Sequence, residues 1–191
     1  MAEKNAYTAD AFTAGVKPGG LTNSTQIRLL LCYLIRCAAP LTREEIETAL
    51  LGEQLVNYFE IGSALEDLEQ RGLAECKEKV YTITEKGARV AAELENDLPR
   101  SVRESAIAAA VRAQVWNRKS AEYGAEIRET PQGYSICCSI RGIAPEDFSL
   151  QLLMPDQLTA ELVKKRFILR GSDIYSLLLT KLTDPEPKPK P

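Results

Sequence analysis

The sequence predicts an α+β protein in two parts. Residues 21–97 read as three helices, a β-hairpin and a fourth helix, and residues 98–183 as a long helix, a small antiparallel three-stranded sheet and covering C-terminal helices. Three observations carry this. Apolar residues recur at helical spacing in three stretches before residue 70. Apolar and polar residues alternate near residues 73–83 and again over 123–152. Capping residues or glycines stand at the joins. The ends read differently. Residues 1–20 carry Gly15, Pro18, Gly19 and Gly20 and form an irregular arm. Residues 184–191, DPEPKPKP, alternate proline with charge and form a disordered, solvated tail.

The first helix spans about Ser24–Cys37. Asn23 or Ser24 can cap it, and Ile27, Leu30, Leu31, Leu34 and Ile35 share one face. Thr42 opens the second helix with Glu45 three residues on, the spacing of a capping box. Gly52 ends it. Asn57 and Glu60 repeat the spacing at the third helix, where Ile61, Leu65 and Leu68 form the inward stripe and Gly72 stops the turn. Two short strands follow, Leu73–Lys77 and Lys79–Ile83, joined at Glu78. Thr84 caps a fourth helix running to about Leu94. This order is that of a winged helix-turn-helix domain over residues 21–97.

The stretch Gly72-Leu73, then Val80-Tyr81-Thr82-Ile83-Thr84-Glu85-Lys86-Gly87, resembles the wing and exit helix of bacterial regulators of the MarR and PadR types. Each glycine has a physical role. Gly72 leaves the helix in a left-handed turn, and Gly87 permits close packing. The chain as a whole is similar to an uncharacterised winged-helix family of anaerobic Gram-positive bacteria, a domain of unknown function. The matching pieces are Gln26-Ile27, Leu29-Leu30-Leu31-Cys32-Tyr33-Leu34, Pro40-Leu41-Thr42, Asn57-Tyr58-Phe59 and Leu65 to Leu68. The resemblance implies a transcriptional regulator and brings no ligand or catalytic residue with it.

The second half, residues 98–183, opens on an alanine-rich helix from Asp97–Pro99 to about Asn117. Val102, Ile107, Val111 and Val115 lie along it as an apolar strip. Three strands follow, with Tyr123, Ala125 and Ile127, then Tyr134, Ile136, Cys138 and Ile140, then Phe148, Leu150 and Leu152 on one face. Pro131-Gln132-Gly133 turns the first into the second. Helices from about Asp156 to Leu169 and Ser172 to Leu182, separated at Gly171, close the chain. Leu158, Leu162, Ile174, Leu177 and Leu178 are the expected cover of the sheet.

Composition narrows the function. The chain has 191 residues, 45% apolar and 27% charged, which fits an ordinary globular protein. No apolar run reaches the ~20 residues of a membrane helix, and no secretory signal opens the chain. A cytoplasmic protein without membrane contact is expected. Histidine is absent, which excludes Ser-His-Asp and Cys-His catalysis and imidazole-bound metal. The five cysteines, Cys32, Cys37, Cys76, Cys137 and Cys138, contain no C-x-x-C pair and read as structural thiols. Phosphate-binding and nucleophile-elbow motifs are missing. The expectation is a non-enzyme with no cofactor and no metal.

Charge is uneven. Residues 1–97 hold ten Lys+Arg against sixteen Asp+Glu, and the remainder fourteen against eleven. An acidic half gives little nonspecific DNA affinity. On the third helix, Phe59, Ser63, Glu66 and Gln70 face away from the inward stripe, flanked by Gly62 and Asp67. That face lacks Lys and Arg, and Glu66 and Asp67 would meet phosphate with like charge. The expected DNA-binding residues are therefore Asn57, Ser63 and Gln70 as polar readers, Phe59 at the contact face, and Lys77 and Lys79 on the wing. A solvated or protein-contacting face is the plainer alternative for the helix, since aromatics such as Phe59 and Tyr58 are enriched at protein interfaces. Edge lysines also guard strands against aggregation. Lys164, Lys165, Arg166 and Arg170 form the strongest basic run but spread round their helix.

The sequence thus points to a winged-helix transcriptional regulator that binds double-stranded DNA as a homodimer, the long helix and C-terminal module serving dimerisation or sensing of an unspecified small effector. The alternative is a winged-helix protein-interaction module that has lost DNA binding.

Overall fold

Six α-helices and two antiparallel three-stranded sheets make up the described residues of the computed structural model, which are 15–141 and 148–184. The irregular arm falls outside them for residues 1–14, and the charged tail for residues 185–191. The architecture is mixed α+β. By compactness the chain divides into two units, meeting at Gln114–Val115.

In the first unit, α1 (Ser24–Ala38) starts where the Asn23 carboxamide oxygen accepts the Thr25 and Gln26 N–H groups. Its apolar side, Ile27, Leu30, Leu31, Leu34 and Ile35, is fully buried. α2 (Arg43–Gly52) opens on the reciprocal Thr42–Glu45 box: the Glu45 N–H donates to Thr42 Oγ1 at 3.2 Å and the Thr42 N–H to Glu45 Oε2 at 2.8 Å. α3 (Tyr58–Gln70) buries Ile61, Ala64, Leu65 and Leu68. Next come β2 (Ala74–Lys77), β3 (Val80–Ile83), α4 (Glu85–Leu94) and a 3-10 turn, Glu95–Asp97.

A two-residue strand, β1 (Leu41–Thr42), pairs antiparallel with β3 and completes a sheet in the order β1-β3-β2. It is too short to show any periodicity. The hairpin register, Lys77 opposite Val80, puts both Glu78 and Lys79 in the turn. Lys79 is therefore a turn residue and not the first residue of a strand.

The helix expected to end near Asn117 runs on: α5 spans Arg100–Glu122. Its buried side is mostly alanine, namely Ala106, Ala109, Ala110 and Ala113 beside Val102. These residues, apart from Ala113, belong to the first unit's core with Leu30, Leu34 and Ile46. Ile107 packs against that core, and only Val111 of the expected strip is exposed. Small side chains let the helix approach closely, so Val102 and the alanines make the contact. Gln114 Nε2 donates to the carbonyls of Ala38 and Pro40 at 2.8 and 2.9 Å.

The second unit holds β4 (Tyr123–Thr130), β5 (Gly133–Ile140), β6 (Ser149–Met154) and α6 (Gln157–Thr183), its sheet in the order β4-β5-β6. The inward residues expected from alternation form its core: Tyr123, Ile136, Cys138 and Ile140 are buried, with Ala125, Ile127, Leu150 and Leu152 packed against them.

The covering residues need correction. α6 is two helical stretches joined at a kink, with non-helical dihedrals at Arg170, one residue from the break expected at Gly171. Leu158 (82% exposed), Leu162 and Leu177 do not cover the sheet. Ala160 and Phe167 are buried instead, with Val163, Ile174 and Tyr175 half-buried around them. The cause is Gly171: a Cβ there would overlap the Tyr123 ring, so only glycine lets the helix seat on this phase.

Candidate nucleic-acid interface

Asn57 starts α3 and is buried. Its carboxamide oxygen accepts the Phe59 N–H at 2.9 Å, so the side chain acts as a helix cap. Ser63, Glu66 and Gln70 are exposed along the outward face, and Phe59 is 71% exposed. Tyr58 stands edge-on to Phe59 with ring centroids 5.8 Å apart. Ser63, Gln70 and Phe59 thus share one accessible face, and Asn57 lies beneath it.

The acidic character of α3 is lower than the sequence suggests. Asp67 is ion-paired with Arg28 of α1, and Arg71 approaches the same oxygen at 4.0 Å. Glu69 Oε1 accepts the Tyr81 hydroxyl at 3.2 Å. Burial first, then the Glu69 carboxylate, push the Tyr81 phenol above its ordinary pKa, so it stays a donor. Glu66 is exposed and makes no ion pair among the described residues. Arg43 lies beside Gly62, where an added Cβ would be 3.2 Å from Nη2, and its Nε bonds Glu47 at 2.7 Å. Arg71, whose side chain is 61% exposed, is the cation that rotation of the helix alone did not flag. It lies one residue past the helix end, outside the outward stripe of α3.

The hairpin is fixed to α3 from below. Thr84 Oγ1 donates to the Gly72 and Leu73 carbonyls and accepts the Gly87 N–H at 3.0 Å. Gly72 has φ +64°, and a Cβ at Gly87 would overlap the Leu73 carbonyl oxygen. At the tip, Glu78 and Lys79 have φ of 51° and 67°. Lys77, 81% exposed, bonds Glu75 at 2.7 Å. That bond raises the Lys77 pKa and lowers that of Glu75. Lys79 is exposed and makes no ion pair among the described residues. The two lysines are thus close in sequence but differ in what compensates them.

A groove of ≈ 600 Å³ opens beside the C-terminal end of α3. Leu29, Cys32, Leu68 and Leu94 line it, with Arg28 and Arg71 among its polar residues. Burial pushes the Cys32 thiol up to about 11. All five cysteines are free; Cys32 and Cys138 are buried, and Cys37 and Cys76 are exposed. Among the described residues no cluster of three or more His, Cys, Asp or Glu side chains could hold a metal, and no helix is long and apolar enough to cross a membrane.

These observations define a mixed α+β chain in two compact units, each with its own small antiparallel sheet. The chain belongs to the family described as Domain of unknown function (DUF4364), whose model matches residues 27–182. No curated protein and no solved structure matches it significantly.

Proposed function

We propose that residues 21–97 form a winged helix-turn-helix, and that the protein is a transcriptional regulator acting on double-stranded DNA without catalysis. α3 is the recognition helix and the β2–β3 turn is the wing. Phe59, Ser63 and Gln70 face the bases, Asn57 holds the start of the helix, and Lys79 with Lys77 reaches phosphate. The observation that carries this reading is the Arg28–Asp67 pair with Arg71 beside it. It compensates an acid on the face that would approach DNA, and it leaves exposed guanidinium at the end of α3.

On this reading the protein acts as a homodimer in the cytoplasm, as the resemblance of residues 72–87 to MarR- and PadR-type regulators implies. The alanine side of α5 packs into the first unit's core, so dimerisation needs another surface. The groove beside α3 is the place for an effector. The second reading, a protein-interaction module, is favoured by the exposed Tyr58–Phe59 pair.

Selection of genomic fragments by the purified protein at 50 mM salt, followed by fluorescence-anisotropy titration of the enriched duplex, tests both. Arg71→Ala and Lys79→Ala should weaken binding to every sequence and flatten the salt dependence. Ser63→Ala and Gln70→Ala should change sequence preference. No enrichment at any salt would reject DNA binding in favour of the interaction module.

A further inference from the structure

The β4-β5-β6 sheet has one guarded edge and one bare edge. β4 carries Glu126, Arg128 and Glu129, all exposed, with Arg128 bonded to Glu126 at 3.2 Å. The six residues of β6, Ser149–Met154, include no charge and no proline. Natural sheets keep a free edge from pairing by means of charges, prolines or bulges. β6 has none of these, and among the described residues no strand lies along its outer side.

The ladder shows which groups are left over. The Arg141 N–H donates to the Glu122 carbonyl, and β4 and β5 stay in unbroken register from Tyr123↔Ile140 to Thr130↔Gly133. Hydrogen-bonded pairs alternate along an antiparallel ladder. Odd-numbered residues of β5 therefore turn their backbone groups to β4, and even-numbered ones turn theirs to β6. Tyr134, Ile136 and Cys138 face Met154, Leu152 and Leu150. Ser149, Gln151 and Leu153 are left with N–H and C=O directed out of the sheet.

We propose that β6 is the edge through which this chain pairs with a second copy of itself, antiparallel about a twofold axis at Gln151, to form one six-stranded sheet. In that register Gln151 lies opposite its own copy, and Ser149 opposite Leu153 of the second copy. Charge selects a second copy as the occupant. An isologous contact sets residues near the axis against themselves, so a charge there would repel its own image. β6 is the edge free of charge. α6 lies chiefly over β4 and β5, leaving Leu150, Leu152 and Met154 only half-buried for the second copy to cover. The pairing rests on the homodimer reading above, to which it gives a surface, and does not depend on DNA binding.

Sedimentation velocity at micromolar concentration should give the full-length protein twice the 21.1 kDa of one chain. Gln151→Pro removes an N–H that β5 does not use together with the exposed Gln151 Nε2–Ser135 Oγ bond of 2.8 Å, so the monomer should keep its circular dichroism and melt only slightly lower while the dimer is lost. Gln151→Lys and Gln151→Glu test the twofold without proline. Each alone should dissociate several-fold more readily than wild type, and a one-to-one mixture should recover the dimer because opposite charges then meet. A monomeric wild type would overturn the proposal. So would a folded Gln151→Pro dimer, a mixture no tighter than its components, or a dimer abolished by Leu162→Glu on α6 and untouched at Gln151.

Discussion

Glu78 and Lys79 both occupy the left-handed region, with φ of 51° and 67°, in a two-residue hairpin loop that favours Asn-Gly. Left-handed backbone costs an L-residue about 1–2 kcal/mol, and Asn and Gly much less. Glycine returns ~0.5–1 kcal/mol of this through the unfolded chain. The double variant Glu78→Asn/Lys79→Gly should therefore stabilise the first unit by about 1 kcal/mol. For a unit of ~100 residues that raises the melting temperature by roughly 4–8 °C. The same variant deletes the wing cation that makes no ion pair among the described residues. If Lys79 touches phosphate, the log–log salt slope of DNA binding should shrink by about 0.9 per subunit, or ~1.8 for a dimer. Stability and affinity then move in opposite directions, which a general loss of fold cannot mimic. Calorimetry and anisotropy titrations between 50 and 300 mM salt measure the two, with Glu78→Asn alone as the control that keeps the cation. A melting temperature that stays or falls would refute the turn assignment. An unchanged slope would refute the role of Lys79.

Gly171→Ala should cost about 1–3 kcal/mol, because its Cβ overlaps the Tyr123 ring and α6 or the ring must move; urea denaturation of the variant, followed by near-ultraviolet dichroism of the tyrosines, checks it. Alkaline pH should also destabilise the protein. Burial raises the Cys32 and Cys138 thiols from 9.0 to about 11. The unfolded chain then loses these protons first, so the stabilisation is complete below pH 9 and disappears as pH rises through 11. A two-unit shift corresponds to about 2–3 kcal/mol for each thiol. Stability of Cys32→Ala measured from pH 8 to pH 11 should fall less steeply than that of wild type, and parallel curves would remove the thiol from the account.

Much of the chain was legible because its signals are local. The Thr42–Glu45 box, the caps at Asn23 and Thr84, and the left-handed Gly72 each act within a few residues of their own positions. The inward residues of β4 and β5 followed from alternation for the same reason. The face of α6 did not, because two stripes on that helix are apolar. Leu158 and Leu162 make one, and Val163, Phe167 and Ile174 the other. Hydrophobicity does not choose between them. Contact with Tyr123 does, through a glycine that reads as a helix break in sequence and in the fold both adjoins the kink at Arg170 and packs on that ring. Asn57 carried two readings in sequence, helix cap and base reader; the structure shows the cap, with the residue buried there.

The charge of α3 is where local reading had most to lose. Counted along the sequence, Glu60, Glu66, Asp67 and Glu69 make the helix look repellent to phosphate. Asp67, however, meets an arginine 39 positions away, and Glu69 accepts a tyrosine hydroxyl from β3. Glu60 is half-buried, so Glu66 is the acid left most open to an approaching backbone. Arg71 caps the same end of the helix five positions on and is exposed. An exposed carboxylate on a helix that ends in an exposed guanidinium discriminates more than it repels. The arginine can take a phosphate, whereas the carboxylate accepts hydrogen bonds only and so favours a base that offers a donor, as cytosine does through its amino group. On the DNA reading, Glu66→Gln should therefore raise affinity for all sequences and lower the preference for the selected one, whereas a purely solvated Glu66 would raise affinity alone.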